Sequence, residues 1–238
     1  METNDMGGKY LLPIAVIAAG LLIAGAVVWN NARPAGPGQG GAGAVVDVKD
    51  VKTEGNPFIG RADAPLTIAF WSDFQCPYCR SVEVGGVPQI PTPPAVPDII
   101  RDYVDTGKVK IVFMDFAFLG EDSITAALYN RSVWKLYPNQ YFVWRTAMYT
   151  AQDEEHGGFG NAASIDKLNA TISGIDAAVI SADVQANRSA YQAAVDSDRA
   201  EAGKVGISAT PSFVIGTKLL SGAYPYAAFK EAIDAELK

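Results

Sequence analysis

An α/β fold carrying a helical insertion, placed behind an N-terminal apolar span, is predicted by three observations. An apolar run (Leu66, Ile68, Phe70, Trp71) leads directly into Cys76-Pro77-Tyr78-Cys79, as a strand does when it delivers a side chain to the start of a helix. Between Ser123 and Lys204 the apolar residues recur mainly at spacings of three and four, the helical period. Near the C-terminus, Pro211 heads a short apolar strand that a turn, a second strand and an amphipathic helix follow.

With 238 residues, 49% of them hydrophobic, the chain can bury one sizeable core, and one domain is expected. A net charge of −7 with no cluster of lysine or arginine argues against a nucleic-acid partner. Both cysteines fall in a single motif, so this is not a scaffold stapled by disulfides.

Tyr10 to Trp29 is uncharged throughout and, as a helix, spans about 30 Å of hydrocarbon. Residues 10–29 are therefore expected to be a transmembrane anchor, with residues 1–9 as a cytoplasmic tail. A cleaved signal peptide is the competing reading, supported by Ala24-Gly25-Ala26, but the run exceeds the roughly 7–15 residues of a secretory core. Flanking charge orients the span weakly, with Lys9 set against Glu2 and Asp5 and with Arg33 beyond the other end. Residues 30–44, rich in glycine and proline, cannot bury a core and read as a tether.

The folded domain is expected over residues 45–238. Val46, Val48 and Val51 alternate with charges like a half-exposed first strand, and Asn56-Pro57 and Gly60-Arg61 mark turns. The strand from Leu66 to Trp71 follows. Pro88, Pro91, Pro93, Pro94 and Pro97 then forbid a continuous helix and predict an extended, solvent-facing loop. Helix resumes with Pro97 as its first residue and stops at Thr106-Gly107, and Lys108 to Phe118 alternates like a buried strand. Ser123 to Gln152 predicts two helices broken by Pro138, whose tyrosines and tryptophans are expected to be core. Further helical pattern covers 163–172 and 183–204. The N-x-S/T triplets at Asn130, Asn169 and Asn187 fall in predicted helices and read as chance matches, and His156 as a surface residue. Ser212 onward gives a strand, a turn at Gly216-Thr217, a strand over 218–221, and a helix from Pro225 to Leu237.

The chemistry points to the cysteines. At a helix start, unpaired N–H groups and the helix dipole favour a thiolate, so Cys76 is expected to titrate below the roughly 8.5 of a free cysteine, with Cys79 one turn later as the shielded partner. A structural disulfide closing so short a loop gains little, and a structural zinc site needs four ligands where the chain has two cysteines and one histidine. A cis Thr210–Pro211 bond beside the pair would leave the Thr210 backbone open to an extended client chain. No metal and no cofactor is expected.

The order of elements, together with Ala64-Pro65, Ser72-Asp73-Phe74-Gln75-Cys76-Pro77-Tyr78-Cys79, Tyr103 to Val109, Ala209-Thr210-Pro211 and Gly222-Ala223-Tyr224-Pro225, resembles the DsbA-like thiol-disulfide oxidoreductases. The resemblance implies a thioredoxin-like fold with a helical domain inserted at about 120–200. It implies Cys76 as the exposed nucleophile, Cys79 as the resolving thiol, Pro77 and Tyr78 as the dipeptide that tunes the potential, and Thr210 and Pro211 as the cis-proline loop that meets substrate. It further implies reduced or unfolded extracytoplasmic proteins as clients, and re-oxidation by a quinone-linked membrane partner, DsbB-like or VKOR-like. Two residues depart from the family pattern: Phe70 stands where members often carry a buried carboxylate, and Tyr78 where strong oxidants often have histidine. A reductase or isomerase on the same fold is the alternative activity, and a C-x-x-C copper carrier or peptide-holding module the non-enzymatic one.

Overall fold

Strand β2 (Leu66–Ser72) is apolar along nearly its whole length because both of its faces are covered. Ile68 and Phe70 point into one core, whereas Ala69 and Trp71 point into a second on the other side of the sheet. β2 pairs in parallel with β3 (Val109–Asp115), whose Ile111 and Phe113 share the first core and Val112 and Met114 the second. The computed structural model describes residues 46–154 and 157–238. The tail, apolar span and tether over 1–44, like His156, lie outside them. Among the described residues, no helix is long and apolar enough to cross a membrane.

Five strands form the sheet, in the order β1-β3-β2-β4-β5, with β1 at Phe58–Ile59, β4 at Ser212–Ile215 and β5 at Lys218–Ser221. All pairings other than β2–β3 are antiparallel. Helix α1 (Pro77–Glu83) follows β2, and α2 (Val96–Ile99) runs on into a wider turn over Ile100–Val104. The chain then makes four helices before returning to the sheet: α3 (Glu121–Leu136), α4 (Tyr141–Ala151), α5 (Ala162–Asn169) and α6 (Ala177–Lys204). This is the expected helical insertion. Helix α7 (Tyr226–Glu236) closes the chain, and the described residues fall in one compact unit, Ala44–Lys238.

Several expectations need correction. The valines at 46, 48 and 51 are buried but do not form a strand: the Asp47 carboxylate accepts the Lys49 N–H at 2.9 Å and turns the backbone over Val48–Asp50. The strand expected to reach Phe118 ends at Asp115, because the N–H groups of Phe118 and Leu119 are drawn off to the Asp73 carboxylate at 3.0 and 3.3 Å. Pro97 occupies the second helical position, not the first. Helix α6 begins at Ala177 rather than near Asp183, because Asp176 caps the N–H groups of Ala178 and Val179. The stop at Gly107 stands, with φ at +74°.

Of the tyrosines and tryptophans expected to be core, Tyr129, Tyr141, Trp144 and Tyr149 are buried, while Trp134 and Tyr137 are partly buried and pack against the core from its edge. Asn130 and Asn169 are buried too, the first accepting from the Tyr141 hydroxyl at 2.5 Å and the second from Trp144 Nε1 at 2.7 Å. These two triplets serve packing.

One buried polar cluster ties the insertion to the sheet. Arg131 of α3 donates to Asp115 at the end of β3 at 2.6 Å, to Asn56 Oδ1 at 2.5 Å, and to Asp198 of α6. Burial pushes the Asp198 carboxyl up to about 6 against the pull of Arg131. Substituting Arg131→Met strands two buried carboxylates, so unfolding by urea is expected to show a loss of about 3–5 kcal/mol. A loss below about 1 kcal/mol contradicts this reading.

Candidate active site

β2 ends at Ser72, and three residues carry the chain to Cys76, which caps α1 with extended backbone ahead of Pro77. Asp73 shapes this turn. Its buried carboxylate accepts from the Gln75 N–H at 2.8 Å, the Phe118 N–H at 3.0 Å and the Ser123 hydroxyl at 2.7 Å, while the Cys76 N–H donates to the Asp73 carbonyl at 3.1 Å. The burial that these contacts partly offset pushes the Asp73 carboxyl upward.

Gln152, immediately after α4, holds the same turn from the insertion. Its buried carboxamide donates to the carbonyls of Phe74 at 2.7 Å and Cys76 at 3.2 Å, and the Gln152 backbone carbonyl accepts from Arg80 Nη1 at 2.5 Å. Gln75 Nε2 adds a bond to the Phe159 carbonyl at 3.0 Å.

The second predicted stretch arrives from the far end of the sequence. The Thr210–Pro211 bond is cis, and the Thr210 carbonyl lies 3.5 Å from Cys76 Sγ, which donates to it as a thiol. The Pro211 carbonyl accepts from the Gly222 N–H at 2.8 Å, so the Gly222-Ala223-Tyr224-Pro225 stretch is tied to the same loop. Cys76, Pro77, Tyr78, Cys79, Thr210 and Pro211 are thus brought to one place. Tyr78 projects into solvent with 52% exposure. The exposed nucleophile that the resemblance implied is largely covered: Cys76 keeps 4% of its surface and Cys79 none. Cys76 meets the Thr210 loop on one side, and Cys79 sits a turn deeper on the buried face of α1.

The two thiols are unbonded and differ electrostatically. Cys76 is lowered to about 7, first because the Cys79 thiol donates to its sulfur, then through the Thr210 side chain and the backbone N–H groups of Cys79 and Tyr78, with burial opposing. Cys79 is raised well above its ordinary value, by burial first and then by the neighbouring sulfur. One thiolate is favoured, at Cys76.

Phe70, in place of a carboxylate, is buried and stacked on Phe213 with ring centroids 4.1 Å apart. Asp73, Gln75 and Gln152 have no assigned role in the sequence reading. Asp73 and Gln75 stood within the motif, but Gln152 is 76 residues from the carbonyl it holds, and no local pattern marks it.

A family model described as Thioredoxin matches residues 52–235. The chain belongs to this family. Its relatives include disulfide bond formation protein D of Bacillus subtilis (strain 168), 27% identical over 185 residues covering 78% of each chain. A probable disulfide bond formation protein D of Bacillus anthracis is 25% identical over 80% of this chain and 86% of its own. Among solved structures, oxidised BdbD from Bacillus subtilis superposes with a TM-score of 0.70 at 24% identity, covering 83% of this chain and 99% of that one. DsbA of Chlamydia trachomatis gives 0.64 at 18% identity, covering 77% and 92%. This thioredoxin-family chain is a DsbA-like thiol-disulfide oxidoreductase.

Two results are expected. Alkylation of Cys76 by iodoacetamide rises about tenfold per pH unit up to about 7 and then levels off, because only the thiolate reacts and its fraction saturates above the pKa. Gln152→Ala frees the Phe74 and Cys76 carbonyls, lowering stability by about 1–3 kcal/mol in urea unfolding and slowing alkylation at pH 6. An unchanged alkylation rate removes Gln152 from the account of the site.

Proposed function

We propose that this chain works outside the cytoplasmic membrane as an oxidase, passing the Cys76–Cys79 disulfide to client proteins. In this reading the N-terminal span over 10–29 anchors it and the 30–44 tether gives it reach. The observation that carries the reading is the unlike pair of sulfurs: Cys76 is lowered to about 7 and keeps some solvent contact, whereas Cys79 is raised and has none. A client thiolate attacks Cys76 Sγ, the Cys76–Cys79 bond breaks, and Cys79 takes the electron pair. A second client thiolate then attacks the client sulfur of the mixed disulfide and expels Cys76, and a lowered pKa makes Cys76 the better leaving group. Two electrons now rest on the Cys76/Cys79 dithiol, which a quinone-linked membrane partner, DsbB-like or VKOR-like, returns to the disulfide. The Thr210 and Pro211 loop flanks the sulfur that the client reaches, and Tyr78 presents an aromatic face beside it. The names of the relatives, disulfide bond formation proteins, support the oxidising direction.

Oxidising strength follows from the thiolate. Moving Cys76 from 9.0 to about 7 stabilises the reduced form and raises the potential, by about 60 mV above pH 9 but by only about 10 mV at pH 7, where half of Cys76 is thiolate, at about 30 mV for each tenfold change in equilibrium constant. A cysteine near 7 is held less strongly than the roughly 3.5 of the strongest oxidants.

For an oxidase, equilibration of the pair with glutathione buffers at pH 7 is expected to give a midpoint clearly above the roughly −270 mV of a cytosolic reductant, towards the roughly −120 mV of DsbA. A Cys79→Ala variant should accumulate client protein disulfide-linked at Cys76. A midpoint at −270 mV or below assigns the chain to the reductase or isomerase class instead.

A further inference from the structure

In the same core as Cys79 lies a buried group of side chains that the exchange steps above do not use. Arg145 of α4 is 2% exposed and donates to Glu83 Oε1 from Nε at 2.9 Å and from Nη2 at 2.6 Å. The same Nη2 reaches the Ser72 hydroxyl at 2.9 Å. Four aromatic rings surround the guanidinium: Cζ is 4.1 Å from the Phe113 centroid, 5.3 Å from those of Phe74 and Tyr149, and 5.5 Å from that of Phe70. Tyr149 has no exposure, its ring is stacked on Phe74 at 5.1 Å, and its hydroxyl has no hydrogen-bond partner. A buried donor left unpaired costs about 1–3 kcal/mol, so its placement calls for a reason.

Helix register supplies one. Glu83 pairs with Arg145, while at the other end of α1 Arg80 and the Cys76 carbonyl bond to Gln152, so α1 and α4 run antiparallel. Stepping one turn back from Glu83 reaches Cys79, and stepping one turn on from Arg145 reaches Tyr149. The two residues therefore face each other across the helix contact, in one apolar cluster with Phe74 and Trp144. Burial raises the Tyr149 phenol most, the Arg145 charge lowers it, and charge on Cys79 raises it next; the Ser72 hydroxyl also lies close enough to lower it, as a donor that leaves the Tyr149 proton without an acceptor.

We propose that the Tyr149 hydroxyl is a hydrogen-bond donor held for the Cys79 thiolate that forms when the disulfide opens, with Arg145 supplying a positive field behind it. This rests on the exchange reading above. When a thiolate attacks Cys76 Sγ, a new S–S bond forms, the Cys76–Cys79 bond breaks, and its electron pair settles on a sulfur with no solvent contact. Tyr149 O–H then gains the acceptor it lacks in the resting protein, and the thiolate is protonated from solvent afterwards. Stabilisation that appears only as the charge develops lowers the barrier without binding the resting state. Glu83 keeps the guanidinium in place. Among the described residues, Glu83 accepts from Arg145 alone and makes no hydrogen bond to Tyr149.

The test is the opening of the oxidised protein by reduced glutathione, followed by stopped flow, in wild type and in Tyr149→Phe, which keeps the stacked ring. The variant is expected to open about tenfold to a hundredfold more slowly. Its glutathione midpoint should not move, because neither the disulfide nor the dithiol holds a charged Cys79. Site-specific 3-fluorotyrosine at 149, a stronger donor on an intact ring, is expected to open faster than wild type. Equal rates in wild type and Tyr149→Phe overturn the proposal while leaving exchange through Cys76 standing. A slowing matched by a shift in midpoint also overturns it, assigning Tyr149 to packing. A wild-type disulfide inert to glutathione overturns the exchange reading and this proposal together.

Discussion

One turn of helix separates two buried sulfurs that titrate in opposite directions. Cys76 stands at the start of α1, where N–H groups, the Thr210 loop and the Cys79 thiol surround it, and Cys79 stands on the buried face of the same short helix. The rest of the domain fixes that contrast. The parallel pairing of β2 with β3 sets the direction from which the chain enters α1, and Asp73 locks the entering turn to the segment after β3. The insertion reaches the turn from the other side through Gln152 and the Arg145–Glu83 pair. Were α1 free to slide or rotate on α4, Cys79 would gain water and the two thiols would converge.

Stability and chemistry use separate faces of the sheet. The Arg131 cluster joins two helices of the insertion, α3 and α6, to the end of β3, beside the core that holds Trp71 and Met114. The Arg145 cluster lies in the other core, against Phe70 and Phe113. Both bury an arginine beside carboxylates, and in both the surrounding hydrogen bonds offset part of the desolvation cost. Phe70 follows from the same arrangement: its ring is part of the aromatic wall around Arg145, so the site carries its buried charge on α4 in place of a carboxylate on β2.

Much of this was legible in the sequence, for reasons that can be named. The strand into Cys76, the broken helices at Pro138 and the paired strands around Gly216 all come from local patterns, and local patterns survive folding when the core agrees with them. Cys76, Cys79, Thr210 and Pro211 could be set together only because two separate motifs resembled one known arrangement. Misreadings arose where a side chain competes with the backbone ladder: Asp47 turned a valine-rich strand into a helical turn, Asp73 shortened β3, and Asp176 lengthened α6. Gln152, Arg145 and Tyr149 were read as ordinary parts of an aromatic-rich helix. Their roles come from the register of two helices whose contacting residues lie 62 to 76 positions apart, which no window of sequence contains.

The unlike titration of the two cysteines is the claim on which the account rests, and absorbance at 240 nm across a pH series of the reduced protein reads it directly. The account predicts the signal of a single thiolate with a midpoint near 7 and no second thiolate until well above pH 9, with the first step absent in Cys76→Ser. Two thiolates appearing together between about pH 8 and 9, as in free cysteine, would contradict it.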